Sequence, residues 1–72
     1  MNNKFAERLN ELLEDLNMSK RECARQCNIS AQSISDWSTG KIQPTVEMLY
    51  IICKKFNKSA DYMLGITDYD DK

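Results

Sequence analysis

Helix-stopping and helix-starting residues alternate at short intervals along this chain, and that punctuation limits every helix to about three turns. Ser19, Ser30, Thr45 and Ser59 are hydroxyl residues able to accept from the first unpaired N–H groups of a helix. Each is preceded by a residue or pair that ends one: Asn17-Met18, Asn28, Thr39-Gly40 and Asn57-Lys58. Asparagine tolerates left-handed backbone better than most side chains, and glycine adopts it freely, so these positions suit C-terminal caps. Gly65 closes the last turn in the same way. Ser19 and Glu22 form an S-x-x-E capping box, in which hydroxyl and carboxylate satisfy backbone N–H groups reciprocally.

Between these marks the apolar residues fall at helical spacing. Phe5, Leu9, Leu12, Leu13 and Leu16 make one face of a first amphipathic helix, with charged and amide side chains between them. A second helix runs from Ser19 to about Cys27. A third, from Ala31 to Ser38, carries buried-type side chains only at Ile34 and Trp37, which leaves most of its surface polar and available. The fourth bears Val46, Leu49, Tyr50, Ile52, Cys53 and Phe56, a stripe wide enough to be central to the core, and a short fifth spans Asp61 to Leu64. No period-two run of β-branched residues and no Asn-Gly or Asp-Gly hairpin signal occurs. The fold class is therefore all-α: a compact five-helix bundle over residues 1–66, followed by an acidic tail, 67–72, expected to be flexible.

Composition narrows the function. A chain of 72 residues holds one small domain, which buries only about 60% of its unfolded surface and rests on an economical core or a partner subunit. No apolar run approaches the roughly 18 residues of a membrane span, and residues 1–6 lack a secretory layout, so a cytoplasmic location is expected. There is no histidine, and no HExxH, GxSxG or Gly-rich phosphate loop, so neither catalysis nor a cofactor or small-molecule ligand is expected. Cys23, Cys27 and Cys53 are odd in number and lie among apolar neighbours, which favours free thiols in the core. A three-thiolate metal site or redox sensor is the competing reading, and no fourth ligand is evident.

Two short helices joined by a tight turn, the second presenting a small polar face, have the dimensions of a helix-turn-helix. Ala24 is small enough for close crossing, Asn28 makes the turn, Ile34 fills the space between the helices and Trp37 anchors the far end. Trp37 could instead stack on a base, but its spacing from Ile34 favours the core. Over residues 5 to 65, including "RLNELLEDLNMSKRECARQCNISAQSISDWSTGKIQP" and "TVEMLYIICKKFNKSADYMLG", the chain resembles the phage Cro/CI-type repressors, the XRE family of helix-turn-helix regulators.

That resemblance implies a lambda-repressor-like domain whose helix-turn-helix is formed by the second and third helices. It further implies binding to double-stranded operator DNA, commonly as a symmetric homodimer on a palindrome, with residues 30–39 in the major groove. Base-facing positions would be Ala31, Gln32, Ser33 and Asp36, with Ser35 at the margin. A glutamine amide can grip adenine N6 and N7, and the Ala31 methyl can rest on thymine. Phosphate contacts would come from Ser19, Lys20 and Arg21 on one side and from Thr39, Lys41 and Gln43 on the other. Lys20 stands where relatives often have Gln, and Asn28 where Gly is more usual. Leu13 and Ser38 replace an Arg and a Glu that often pair. Losing both partners strands no charge. The implied function is a prophage- or mobile-element-type repressor; a protein-binding helix-turn-helix module, antitoxin-like or scaffolding, is the alternative.

The net charge of −1 opposes strong nonspecific DNA binding. Its distribution does not: residues 1–17 carry two basic and four acidic side chains, residues 18–58 seven and three, and residues 59–72 one and four. The basic segment is the one containing the helix-turn-helix. Lys54, Lys55 and Lys58 read as a solvated face and are left out of the site. Met48, Tyr50, Met63, Ile66 and Tyr69 offer more apolar surface than so small a domain readily buries, which suggests self-association.

Overall fold

A computed structural model describes residues 4–69 of the chain. Five helices follow in order: α1 (Lys4–Asp15), α2 (Lys20–Cys27), α3 (Ala31–Ser38), α4 (Val46–Phe56) and α5 (Ala60–Leu64), with no strand among the described residues. The expected all-α, five-helix architecture is the one found.

Every expected cap is in place. Ser19, Ser30, Thr45 and Ser59 have extended backbone and accept from the N–H three residues on, at 3.0, 3.1, 3.2 and 3.4 Å respectively. All five helices end alike. Asn17, Asn28, Gly40, Asn57 and Gly65 take φ between 52° and 82°. In each case the following N–H reaches back to the carbonyl five residues earlier: Met18 to Leu13, Ile29 to Ala24, Lys41 to Asp36, Lys58 to Cys53 and Ile66 to Asp61. This is the Schellman arrangement, which satisfies carbonyls that the last turn would leave open. One part of the capping box differs from expectation. The Glu22 carboxylate turns to Arg25 and Gln26 rather than back to Ser19, because a guanidinium and an amide one turn along offer three donors.

The helices close around Leu9, Cys23, Ile34, Ile52 and Met63, which are fully buried. α3 packs against α1 and α2, α5 against α1 and α4, and α4 against α2. Trp37 is buried with its ring edge-on to Phe5, centroids 6.5 Å apart at 75°, so the core-anchor reading holds. Leu13 and Ser38 are both buried, and neither brings a charge into the core. Asn10 bridges the two helices here by donating its amide to the Ser38 carbonyl at 2.8 Å, which ties the end of α3 to α1.

Two apolar expectations are corrected. Leu16 lies beyond the end of α1 and is exposed, because the left-handed turn at Asn17 carries the chain away from the stripe. The α4 stripe is not central along its length. Ile52 and Cys53 are buried, but Val46 is 84% and Tyr50 61% exposed, since α4 lies against α2 and α5 and these two side chains fall on its outer edge. Of the apolar residues suggested for self-association, Met63 is buried, Met48 is half-buried, and Tyr50, Ile66 and Tyr69 are exposed. Asp68 of the acidic tail accepts from Arg8 at 3.1 Å, and the same guanidinium lies 4.0 Å over the Tyr62 ring. Residues 70–72, the rest of that tail, lie outside the described residues.

Candidate nucleic-acid interface

The α2–turn–α3 unit is assembled from short-range chemistry. Asn28 takes left-handed backbone (φ 58°), and its N–H and that of Ile29 return to the last turn of α2. Ser30 then starts α3 two residues later. Ala24, Cys23 and Cys27 bury the inner side of α2, and Ile34, Trp37 and Ser38 bury that of α3. The thiols are packing groups: all three are free and buried, and burial pushes the Cys23 thiol up to about 12 and also raises that of Cys27. Among the described residues, no group of three or more His, Cys, Asp or Glu side chains could hold a metal ion.

With Ile34, Trp37 and Ser38 facing in, the 100° step of the helix puts Gln32 and Asp36 opposite them, flanked by Ser35 and Ser33, while Ala31, one turn before Ile34, is left exposed at the start of the helix. α3 is thus a rod about 12 Å long with a polar outer face. Ala31 and Gln32 are exposed, and Ser33, Ser35 and Asp36 are half-buried. These side chains are bonded to one another. Gln32 Nε2 donates to Asp36 Oδ1 at 3.0 Å, and the Ser30 hydroxyl donates to Ser33 Oγ at 2.9 Å while accepting the Ser33 N–H. Ser33 therefore keeps its own hydroxyl proton for an outside acceptor.

The flanks are less uniform. Ser19, Lys20 and Arg21 are exposed at the start of α2, where the Ser19 oxygen accepts from Glu22 and its proton remains to donate. Hydrogen bonds from Gln26 and Arg25 hold the Glu22 carboxyl below the usual carboxylate range, so it stays charged and occupies Arg25. On the other flank Lys41 is exposed and Gln43 half-buried. Thr39 is exposed, but its hydroxyl donates inward to the Ser35 and Asp36 carbonyls, at 3.0 and 3.3 Å, where it closes α3. Two features escaped the sequence. Ile42, 51% exposed beside Lys41, puts an apolar side chain on this flank; its only signal was a lone isoleucine in a polar loop. The Gln32–Asp36 bond was visible only as i,i+4 spacing.

A helix-turn-helix family model matches residues 9–63 of the chain. Over 61 residues the chain is 34% identical to the HTH-type transcriptional activator BcrR of Enterococcus faecalis, an alignment covering 85% of this chain and 30% of that protein. Over 67 residues it is 25% identical to the uncharacterized HTH-type transcriptional regulator YobD of Bacillus subtilis (strain 168), covering 93% of this chain and 60% of that one. The chain thus spans less than two thirds of either relative's length. No solved structure matches it. Five capped helices, a helix-turn-helix at α2–α3 and a family match over most of the length agree: the chain belongs to the XRE-type helix-turn-helix family of transcription regulators.

Proposed function

We propose that this protein is a sequence-specific DNA-binding transcriptional regulator that inserts α3 into the major groove. The observation that carries the reading is the division of α3: three inward residues hold it to α1 and α2, while Gln32, Ser33 and Asp36 form an outer face with no role in the core and Ala31 is exposed at its start. The major groove admits a helix, and its base edges present the donors, acceptors and thymine methyls that an amide, a hydroxyl and a methyl complement. In this reading Gln32 contacts adenine, Ala31 a thymine methyl and Ser33 a base or phosphate, with Ser35 at the margin. Ser19, Lys20 and Arg21 hold the phosphates on one side, and Lys41 and Gln43 those on the other, with Thr39 fixing the end of α3 between them.

The operator in this reading is a palindrome bound by two copies. Consecutive major-groove faces lie about 34 Å apart, and with Cα extents of 27 × 23 × 22 Å plus side chains, neighbouring copies come within touching distance. The mode is repression, as in a prophage- or mobile-element-type regulator, because blocking a promoter needs only occupancy of DNA; BcrR, an activator by name, supplies the contrasting mode. Purified protein should retain, from fragmented genomic DNA at moderate salt, fragments sharing a two-fold symmetric site. A promoter reporter carrying that site should fall on expression of the protein. Retention without a shared sequence would count for the protein-binding alternative, and a rising reporter would replace repression by activation.

A further inference from the structure

Gln32 and Asp36 occupy the centre of the outer face of α3, one turn apart, and Gln32 Nε2 donates to Asp36 Oδ1 at 3.0 Å. A glutamine amide has two N–H donors on one end and a carbonyl acceptor on the other, whereas an ionised aspartate only accepts. Asp36 therefore takes the nitrogen end of the amide. The flipped amide would set oxygen against oxygen. What remains for an outside partner is one N–H and the carbonyl oxygen, side by side.

In the major groove adenine offers an acceptor, N7, beside a donor, the N6 amino group, while guanine offers two acceptors, N7 and O6. One donor next to one acceptor complements adenine. An untethered glutamine can turn both N–H groups toward guanine, but a glutamine held by Asp36 has only one left. The carboxylate adds to the rejection, because it sets negative charge near two acceptors. Exclusion of water from the groove strengthens the hold on the amide.

We infer that Asp36 is a positioning residue, which holds the Gln32 amide in the orientation that reads adenine and rejects guanine at one base pair, rather than a reader of a base of its own. The inference rests on the proposed reading of α3 and changes the role of Asp36 within it. It also accounts for a carboxylate on a face turned toward phosphates: the charge is engaged by an amide and acts on its direction.

The test is selection from a random duplex library by the purified 72-residue chain and by Gln32→Ala, Asp36→Ala, Asp36→Asn and the double alanine variant, with sequencing of the retained DNA. The wild-type protein should require adenine at one base pair, and Gln32→Ala should make that pair indifferent. Asp36→Ala should admit guanine there, lowering the adenine-over-guanine ratio roughly five-fold or more, with other positions unchanged. In the Gln32→Ala background it should add nothing at that pair. Asp36→Asn, whose carbonyl can still accept from Gln32, should retain part of the ratio. Removing a negative charge tightens all sequences together, so the ratio is the readout rather than total affinity. Thermal melts should place every variant within a few degrees of wild type. Loss of discrimination at a different base pair in Asp36→Ala, or none at all, overturns the inference and leaves α3 as a reader. A wild-type protein that enriches no sequence overturns both.

Discussion

α3 and α4 begin on the same kind of hydroxyl cap and end in the same left-handed turn, yet they treat their outer faces in opposite ways. α3 buries Ile34, Trp37 and Ser38 and turns outward polar side chains that are already bonded to one another. α4 buries only Ile52 and Cys53 and leaves Val46 and Tyr50 uncovered, beside an open groove of about 560 Å³ that Leu49 and Cys53 also line and Lys54 and Lys58 border. In α3 the residues that hold the fold and those that face out are separate sets. In α4 apolar residues do both, so its pattern alone overstates its share of the core.

Substitutions can break or sharpen that contrast. The largest effect belongs to the inner side of α3: Trp37→Ala should cost about 3–5 kcal/mol. A core this small rarely supplies more than about that, so the helical circular dichroism signal should be lost at 25 °C. Ser30→Ala, which removes both the cap of α3 and the partner of Ser33, should cost about 1 kcal/mol and lower the melting temperature by about 4–8 °C. On the outer faces Val46→Ala and Gln32→Ala should each change stability by less than about 0.5 kcal/mol in a denaturant titration, although only the second should alter DNA discrimination. Lys20→Ala should leave the melt unchanged, weaken all duplexes alike and reduce the slope of log affinity against log salt by about one.

Of the two buried thiols of α2, Cys23 adds a pH dependence over a defined range. The Cys23 thiol is pushed up from an ordinary value near 9 to about 12, so the folded chain keeps a proton that the unfolded chain gives up first. Its contribution to stability is complete below pH 9 and is lost as pH rises from there toward 12. Wild-type stability should therefore fall over that window more steeply than that of Cys23→Ala, measured by urea unfolding. At pH 8 Cys23 should react with iodoacetamide only as fast as the chain opens.

The contrast also marks what could be read from sequence. Helix boundaries were legible because caps are local: a hydroxyl, the N–H three residues on, and an asparagine or glycine one or two residues past the end contain the whole interaction. The inward residues of α3 were legible because Ile34 and Trp37 are its only large apolar side chains. The exposure of Val46, Tyr50 and Leu16 was not, since periodicity shows which side of a helix is apolar but not how many neighbours cover it. Nor were the long-range ties, Asn10 to the Ser38 carbonyl across 28 positions and Arg8 to Asp68 across 60. The Gln32–Asp36 spacing was plain, but whether those two side chains bind each other or point apart is a choice of rotamers.

The division of labour within α3 bears on descent. Under the proposed function, because the Gln32, Ser33 and Asp36 side chains lie outside the core, exchanging them would cost a copy of this protein its address on the genome without costing it its shape. On that reading a duplicated copy would acquire a new target by changing three or four codons, while Ile34, Trp37 and the Asn10 tie to the end of the helix would be inherited intact.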